Sequence, residues 1–131
     1  MSDMELITTK ICMTLDLGVN GNLFGGNMMA FLDESGAAFV YQVCETTNIV
    51  TKKIEEVIFQ NPVKVGNLIK IYGSVNSIGN TSITINLEAI KYNVQTSQET
   101  IVCSTKMVFV QIDDEGGSVP ISEIIKKKYN N

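Results

Sequence analysis

The sequence contains no histidine, and all ten of its basic residues are lysines, so arginine is absent as well. Without histidine, catalysis by Ser-His or Cys-His pairs and histidine-based metal sites are excluded. Without arginine, an anionic ligand has to be held by lysines, backbone amides and hydroxyl groups, and no guanidinium can grip a phosphate with two parallel hydrogen bonds.

Cysteine is also scarce. The chain has three cysteines, Cys12, Cys44 and Cys103, and no C-x-x-C pair. An odd number without such a pair argues against both a disulfide framework and a zinc site. Each stands among apolar residues and is predicted to be a buried free thiol, as in a reducing cytosol. The first ten residues do not have the pattern of a signal peptide, and no apolar run reaches membrane-spanning length. We therefore expect a cytoplasmic protein that does not associate with membranes.

The composition is that of one globular domain, residues 1–131, with a core of its own: hydrophobic residues make up 44% of the chain and charged residues 18%. The net charge of −4 gives no general electrostatic support for binding nucleic acid. The one basic cluster, Lys126-Lys127-Lys128, is interpreted as a solvated helix end that complements the helix dipole, in preference to a phosphate site.

The most informative stretch is the loop N-G-N-L-F-G-G at residues 20–26, which precedes an apolar helix predicted over 27–44. Adjacent glycines let a ligand approach backbone N–H groups, and a helix start leaves such donors unpaired. About two turns further on, Asp33 lies among apolar residues. Gly25 and Gly26 are therefore candidates for stabilising an oxyanion, and Asp33 for activating water. The alternatives are that the glycines serve loop–helix packing and that Asp33 faces solvent.

The remaining chain predicts an antiparallel sheet packed on that single helix, an α+β fold. Alternating apolar residues and turn signals place strands at 5–14, 48–59, 68–77, 81–94 and 100–112, a loop at 15–26 and a short helix at 120–128. Gly79-Asn80 is a turn of the hairpin type. One helix covers only part of such a sheet, so we expect a homodimer that pairs edge strands.

The segments N-G-N-L-F-G-G, L-D-E, F-Q-N-P-V-K-V-G-N and V-F-V-Q-I-D resemble the hotdog-fold acyl-CoA thioesterases, in particular the YciA-type and cytosolic acyl-CoA hydrolases. The resemblance covers roughly residues 6–120. It implies a long central helix wrapped by a five-stranded antiparallel sheet, active sites at a dimer interface, and often trimers of dimers. It also implies acyl-CoA as substrate and no cofactor apart from the coenzyme A portion of that substrate.

Carried onto this sequence, the resemblance makes Asp33 the catalytic carboxylate, as a base or as a nucleophile that forms a mixed anhydride. Two departures stand out. Gly18 occupies a place where the family usually has an asparagine, for which Asn20 or Asn22 is the candidate replacement. Asn80 stands where relatives often carry an arginine that meets the phosphates of coenzyme A. The predicted substrate-binding residues are Phe24, Asn22, Lys64, Asn80, Thr81, Ser82 and Lys106.

The spacing of the catalytic candidates has a geometric consequence. Gly26 and Asp33 are seven residues apart and share a helix face, yet they are separated by about 10 Å along the helix axis. One subunit alone cannot bring both to one carbonyl, so the spacing favours a site composed of two subunits. A hydratase or dehydratase of this fold is disfavoured because those enzymes typically use histidine. A non-catalytic acyl-CoA-binding or regulatory domain remains the alternative.

Overall fold

The computed structural model describes residues 4–130, so residues 1–3 and 131 of the predicted domain lie outside the described residues. Strand β1 is followed by a single 3-10 turn at Thr14–Asp16 and by the long helix α1. Strands β2 to β6 and a short helix α2 complete the order. The bounds are β1 Glu5–Ile11, α1 Gly25–Cys44, β2 Ile49–Ile54, β3 Ile58–Phe59, β4 Leu68–Ile78, β5 Ser82–Tyr92, β6 Glu99–Gln111 and α2 Glu123–Tyr129.

The strands form one antiparallel sheet in the order β1-β4-β5-β6-β2, with the two-residue β3 paired to β6. The predicted five strands are thus the main path of the sheet, and β3 is an addition to it. Strand β5 explains the layering. Ile83, Ile85 and Leu87 are fully buried on the helix side, whereas the intervening Thr84 and Asn86 are only partly buried. Because successive side chains of a strand point to opposite faces of the sheet, this alternation gives β5 one apolar face.

Helix α1 packs one face onto the sheet through residues spaced by three or four positions. These buried residues are Met28, Leu32, Ser35, Gly36, Phe39, Val40, Val43 and Cys44. The apolar composition of the helix predicts enclosure on all sides, but the outer face is open in the single chain: Met29 and Tyr41 are each 36% exposed. No helix in the described part of the chain is long and apolar enough to cross a membrane.

Gly36 sets the distance between α1 and the sheet. A Cβ added there would lie 3.2 Å from both Leu87 Cδ1 and Phe109 Cζ, and 3.3 Å from Ile85 Cδ1. All three neighbours are buried, so none has free space to move into. The glycine therefore allows the helix backbone to approach the sheet closely.

The open edges of the sheet are β1 and β2. Strand β2 carries a register irregularity between Thr51 and Lys53, and its residues 50–53 are exposed. Val50 is 44% exposed, although it is a large apolar side chain. Unpaired N–H and C=O groups on such an edge are a template for a further strand. The edge formed by β2 therefore leaves backbone groups open to pairing with a further strand.

Several predicted boundaries differ from the structure. Strand β1 ends at Ile11 and not at 14, because the 3-10 turn begins at Thr14, and α2 covers Glu123–Tyr129 and not 120–128, because Ser122 is its N-cap. Helix α1 begins at Gly25 and not at 27, because Phe24 is the extended N-cap and both glycines already have helical conformation. The single strand predicted over 48–59 is divided into β2 and β3. The division falls at Glu55-Glu56, where the Glu55 amide donates to the carbonyl of Lys106, and consecutive acidic residues are disfavoured in strands.

The packing at Gly36 leads to a stability prediction. Gly36→Val adds three carbon atoms between α1 and buried side chains, so we expect the free energy of unfolding to fall by about 1–3 kcal/mol in chemical denaturation. Ala38→Val is the control, since Ala38 is exposed on the same helix and valine should cost only about 0.5 kcal/mol there. Equal losses for the two variants would mean that Gly36 does not determine the helix–sheet distance.

Candidate active site

The start of α1 is not capped by a side chain. Phe24 is the N-cap residue, and a phenyl ring cannot accept a hydrogen bond from the first turn. The carbonyl of Phe24 accepts from the amides of Asn27 and Met28, at 3.0 and 3.1 Å. Among residues 4–130 the amides of Gly25 and Gly26 have no such partner. Two adjacent N–H donors are thus available to an acceptor from outside the helix.

Two aromatic rings flank these glycines. A Cβ on Gly26 would lie 2.9 Å from Cε2 of Phe24, and one on Gly25 would lie 3.5 Å from Cζ of Phe59. The Phe24 ring also packs on Gly18, where a Cβ would be 3.3 Å from Cδ1. Phe24 and Phe59 are nevertheless 58% and 51% exposed. The rings therefore shield the helix start on both sides without closing it.

The loop before the helix is held by backbone hydrogen bonds. The Gly18 amide donates to the Asn22 carbonyl at 2.8 Å, and the Leu23 amide donates to the Val63 carbonyl at 2.8 Å. Gly21 has a φ of +84°, which favours glycine. The Oδ1 atom of Asn20 accepts from the Asn22 amide at 3.2 Å. These contacts fix Asn20 and Asn22 near the helix start.

A cavity of about 320 Å³, hereafter the first cavity, opens beside Gly25. Its wall combines the loop, the start of α1 and the chain around Pro62; it is lined by Asn20, Asn22, Leu23, Gly25, Met28, Phe59, Gln60, Asn61, Pro62, Val63 and Val102. Oδ1 of Asn22 is buried and has no hydrogen-bond partner among the described residues. The lining therefore presents apolar side chains together with a few polar groups, as small-molecule sites do.

Asp33 lies at a different place on the same helix. Its side chain is half-buried, and its Oδ1 accepts a hydrogen bond of 2.7 Å from Oγ1 of Thr51 on the edge strand β2. Neither residue lines the first cavity. Asp33 follows Gly25 by eight positions in the helix, which is about 12 Å along the axis. Glu34, the next residue, is exposed, as its position around the helix predicts.

Thr51 contacts Asp33 but is not among the site residues predicted from the sequence. No motif marks it, since it is one hydroxyl residue in an ordinary strand segment. Only the pairing of Thr51 opposite Phe109, combined with the packing of α1 on the sheet, brings its hydroxyl to Asp33. Predicting this contact requires the residue-by-residue pairing of β2 with β6.

The remaining predicted substrate-binding residues are dispersed. Lys64 lines a second cavity of about 370 Å³, and Lys106 lines a third of about 480 Å³. Asn80 contacts the C-terminal helix: its Oδ1 accepts from Nζ of Lys126 at 3.1 Å, and its carbonyl accepts from the Ile121 amide. Thr81 and Ser82 adjoin it, with the Thr81 carbonyl bonded to the Gln111 amide. The structure thus does not bring Lys64, Lys106 and this turn together within one chain.

The three thiols do not add a nucleophile. Cys12, Cys44 and Cys103 are free and buried, and burial raises the pKa of each, that of Cys103 to about 11. A thiol with a raised pKa contains little of the reactive thiolate. In the part of the chain that the structure describes, no group of three or more metal-ligating side chains is found. Of the two acidic residues of α1, Asp33 is half-buried and bonded to Thr51, whereas Glu34 is exposed.

Comparison with known proteins identifies similar chains. The family model for the thioesterase superfamily matches residues 20–97. The acyl-CoA thioester hydrolase YciA of Salmonella typhimurium is 29% identical over 120 residues, covering 89% of this chain and 90% of the relative. An uncharacterized acyl-CoA thioester hydrolase of Buchnera aphidicola (Schizaphis graminum) is 32% identical over 114 residues, covering 85% and 84%.

Solved structures agree with the sequence matches. A hexameric hotdog-fold thioesterase of Campylobacter jejuni superimposes with a TM-score of 0.87 at 28% identity, covering 97% of each chain. A hexameric thioesterase from Yersinia pestis superimposes with a TM-score of 0.86 at 28% identity, covering 94% of this chain and 99% of the other. The predicted hotdog fold is confirmed.

Proposed function

The chain belongs to the thioesterase superfamily and has the hotdog fold, and on that basis we propose that it hydrolyses acyl-CoA to a free carboxylic acid and coenzyme A. The observation that carries the proposal is the uncapped start of α1 at Gly25 and Gly26, which opens beside the first cavity. On the same helix, Asp33 is held by Thr51 at an open sheet edge.

Gly25 and Gly26 are the proposed oxyanion donors. When water attacks a thioester, negative charge develops on the carbonyl oxygen, and preorganised N–H groups stabilise it. The two amides need no change of structure to act, because no side chain caps the helix and no Cβ blocks the approach. The partial positive charge of the helix start adds to the same effect.

Asp33 is the proposed general base. The hydroxyl of Thr51 holds Oδ1, while Oδ2 has no protein partner among residues 4–130 and is available to take a proton from water. A carboxylate fixed on one oxygen and open on the other has the geometry that general-base catalysis needs. The same carboxylate as a nucleophile is the second possibility, and trapping of a mixed anhydride distinguishes the two roles.

Asn20 is proposed to position the substrate at the mouth of the first cavity, with Asn22 offering a buried acceptor inside it. The ring of Phe24 packs against Gly18, so the space next to that glycine is already filled. This arrangement supports Asn20 as the residue that replaces the family asparagine. The roles of Asn80, Thr81, Ser82 and Lys106 in binding coenzyme A stay predictions.

The proposed active unit is a homodimer joined through β2. The distance between the helix start and Asp33 separates the oxyanion donors from the base within one chain. A partner paired at the β2 edge would bring its own chain next to Asp33 and Thr51, and would cover the exposed Val50. The thioesterases of Yersinia pestis and Campylobacter jejuni are hexameric, so a trimer of such dimers is the proposed larger assembly.

A cytoplasmic location is proposed as well, because three free buried thiols suit a reducing compartment.

A non-catalytic acyl-CoA-binding domain is the second candidate function, favoured by Gly18 in the place of the family asparagine. An assay for thiol release with acyl-CoA substrates of short, medium and long chain separates the two, since only the hydrolase produces free thiol.

Asp33→Asn keeps the size of the side chain but removes its basicity. We expect kcat to fall by about a hundredfold or more with the fold retained. Circular dichroism and thiol release are the measurements. Glu34→Gln is the matched control on the exposed neighbour and should change kcat little. A folded Asp33→Asn protein with near-normal turnover would rule out the assignment.

Thr51→Val replaces the hydroxyl by a methyl group of the same shape. Loss of the hydrogen bond to Asp33 frees the carboxylate to adopt other orientations, so kcat should fall by about tenfold, the usual effect of a hydrogen bond to a charged group. Thr51→Ser retains the hydroxyl and should restore most of the rate. If serine and valine give the same kcat, the hydroxyl does not orient Asp33.

Mixed dimers test the composite site. Gly25→Val places a branched side chain over the helix start, and Asp33→Asn removes the base, so each homodimer should be inactive. After equal amounts are unfolded and refolded together, half of the dimers are mixed and each has one intact site, which gives about a quarter of wild-type activity. No recovery, despite mixed dimers detected by native mass spectrometry, would place both groups in one subunit.

A further inference from the structure

We propose that the second cavity binds the phosphate-bearing nucleotide end of the coenzyme A substrate; this inference rests on the proposed function, since it names where one portion of that substrate lies. The second cavity has a volume of about 370 Å³ and lies between the segment that follows Val63 and the loop that joins β5 to β6. Lys64, Lys91 and Tyr92 are among its lining residues.

The charge around the second cavity suits an anion. Lys64 and Lys91 line it, and Nζ of Lys70 lies 4.1 Å from the centroid of the Tyr92 ring in its wall. No aspartate or glutamate is among the lining residues. Glu99, which adjoins two of them in sequence, has its Oε2 3.5 Å from the hydroxyl of Tyr72. Two of the ten lysines of a chain with net charge −4 therefore line one cavity, and a third contacts an aromatic ring of its wall.

The rest of the wall provides neutral hydrogen-bonding groups on a loop that is already ordered. The Asn93 amide donates to the Gln98 carbonyl at 2.9 Å, and Oδ1 of Asn93 accepts from the amides of Gln95 and Thr96. The hydroxyl of Tyr92 lies 3.2 Å from Oγ of Ser97. A wall held in this way loses little freedom when a ligand binds.

The second cavity adjoins the first. Asn61, Pro62 and Val63 line the first cavity, and the next residue, Lys64, lines the second. Asn61 and Lys64 are three positions apart, so their Cα atoms lie at most about 11 Å from each other even in a fully extended chain. Nζ of Lys91 donates to the Pro62 carbonyl at 2.8 Å, which leaves two further donors on this ammonium group. An acyl-CoA with its thioester in the first cavity thus reaches these lysines across one short segment.

The other predicted contacts are less suited to a phosphate. Lys106 shares the third cavity with Glu55, Glu56 and Glu88, whose carboxylates repel an anion. Oδ1 of Asn80 is occupied by Lys126 of the C-terminal helix. Of the three cavities, only the second combines two lysines with a lining that contains no aspartate or glutamate, and its Lys64 directly follows Val63 of the first.

Binding of adenosine 3′,5′-bisphosphate, which carries part of the nucleotide end but no thioester, tests the assignment by titration calorimetry. Lys64→Ala and Lys91→Gln should each weaken binding by about tenfold, since each removes a charged donor to phosphate, and the affinity should fall with salt. Lys127→Ala, an exposed lysine on α2, is the control and should bind like the wild type. Lys91→Gln keeps a donor for the Pro62 carbonyl, and Lys64 is exposed, so both variants should fold.

The inference is overturned if the wild type does not bind the bisphosphate, if both lysine variants bind it normally, or if only Lys106→Ala or Asn80→Ala weakens it. Kinetics separates this outcome from failure of the proposed function. The two lysine variants should raise KM about tenfold for acyl-CoA and leave KM for acyl-pantetheine unchanged. If the bisphosphate binds and both lysines are needed, but no acyl-CoA is hydrolysed, the proposed function is wrong and the cavity assignment stands. If acyl-CoA is hydrolysed with the same KM in both lysine variants, the proposed function stands and the cavity assignment is wrong.

Discussion

The close approach of α1 to the sheet at Gly36 determines where both parts of the proposed site lie. The missing Cβ lets the helix rest directly on Leu87 and Phe109. From that contact the helix extends toward Gly25 in one direction, while Asp33 is turned toward the edge strand that carries Thr51. A larger residue at this point would lift the helix and separate Asp33 from its partner hydroxyl. The functional groups thus depend on packing in the core, well away from the cavity.

The proposed site needs a second subunit because its two parts are separated along the helix. A straight helix advances about 1.5 Å per residue, so groups eight residues apart cannot meet at one carbonyl carbon. The open edge at β2 is where we propose that the second copy pairs, which would bring the helices of two chains close to one another. The exposed outer face of α1, with Met29 and Tyr41, is apolar surface that the single chain leaves uncovered.

Much of the fold could be predicted from the sequence, because the alternation in β5 and the apolar spacing in α1 are strong local signals. Local patterns did not reveal the division of 48–59 into β2 and β3, since the cause is the interruption at Glu55-Glu56 together with pairing to β6. Of the proposed site, a sequence motif marks only Gly25, Gly26 and Asp33, and their catalytic roles stay predictions. Thr51 and Lys91 contact residues that are distant in sequence, and no single motif encodes such contacts.

The central claim is that the oxyanion donors and the base at one thioester come from different subunits. A crystal structure with a ketone analogue of acyl-CoA, in which CH₂ replaces the sulfur, tests it most directly. We predict that the ketone oxygen lies about 3 Å from the amide nitrogen of Gly25 or Gly26 of one subunit, with the partner subunit's Asp33 on the side from which water attacks. A ketone oxygen remote from both amides, or one approached by Asp33 of the same chain, would contradict the account.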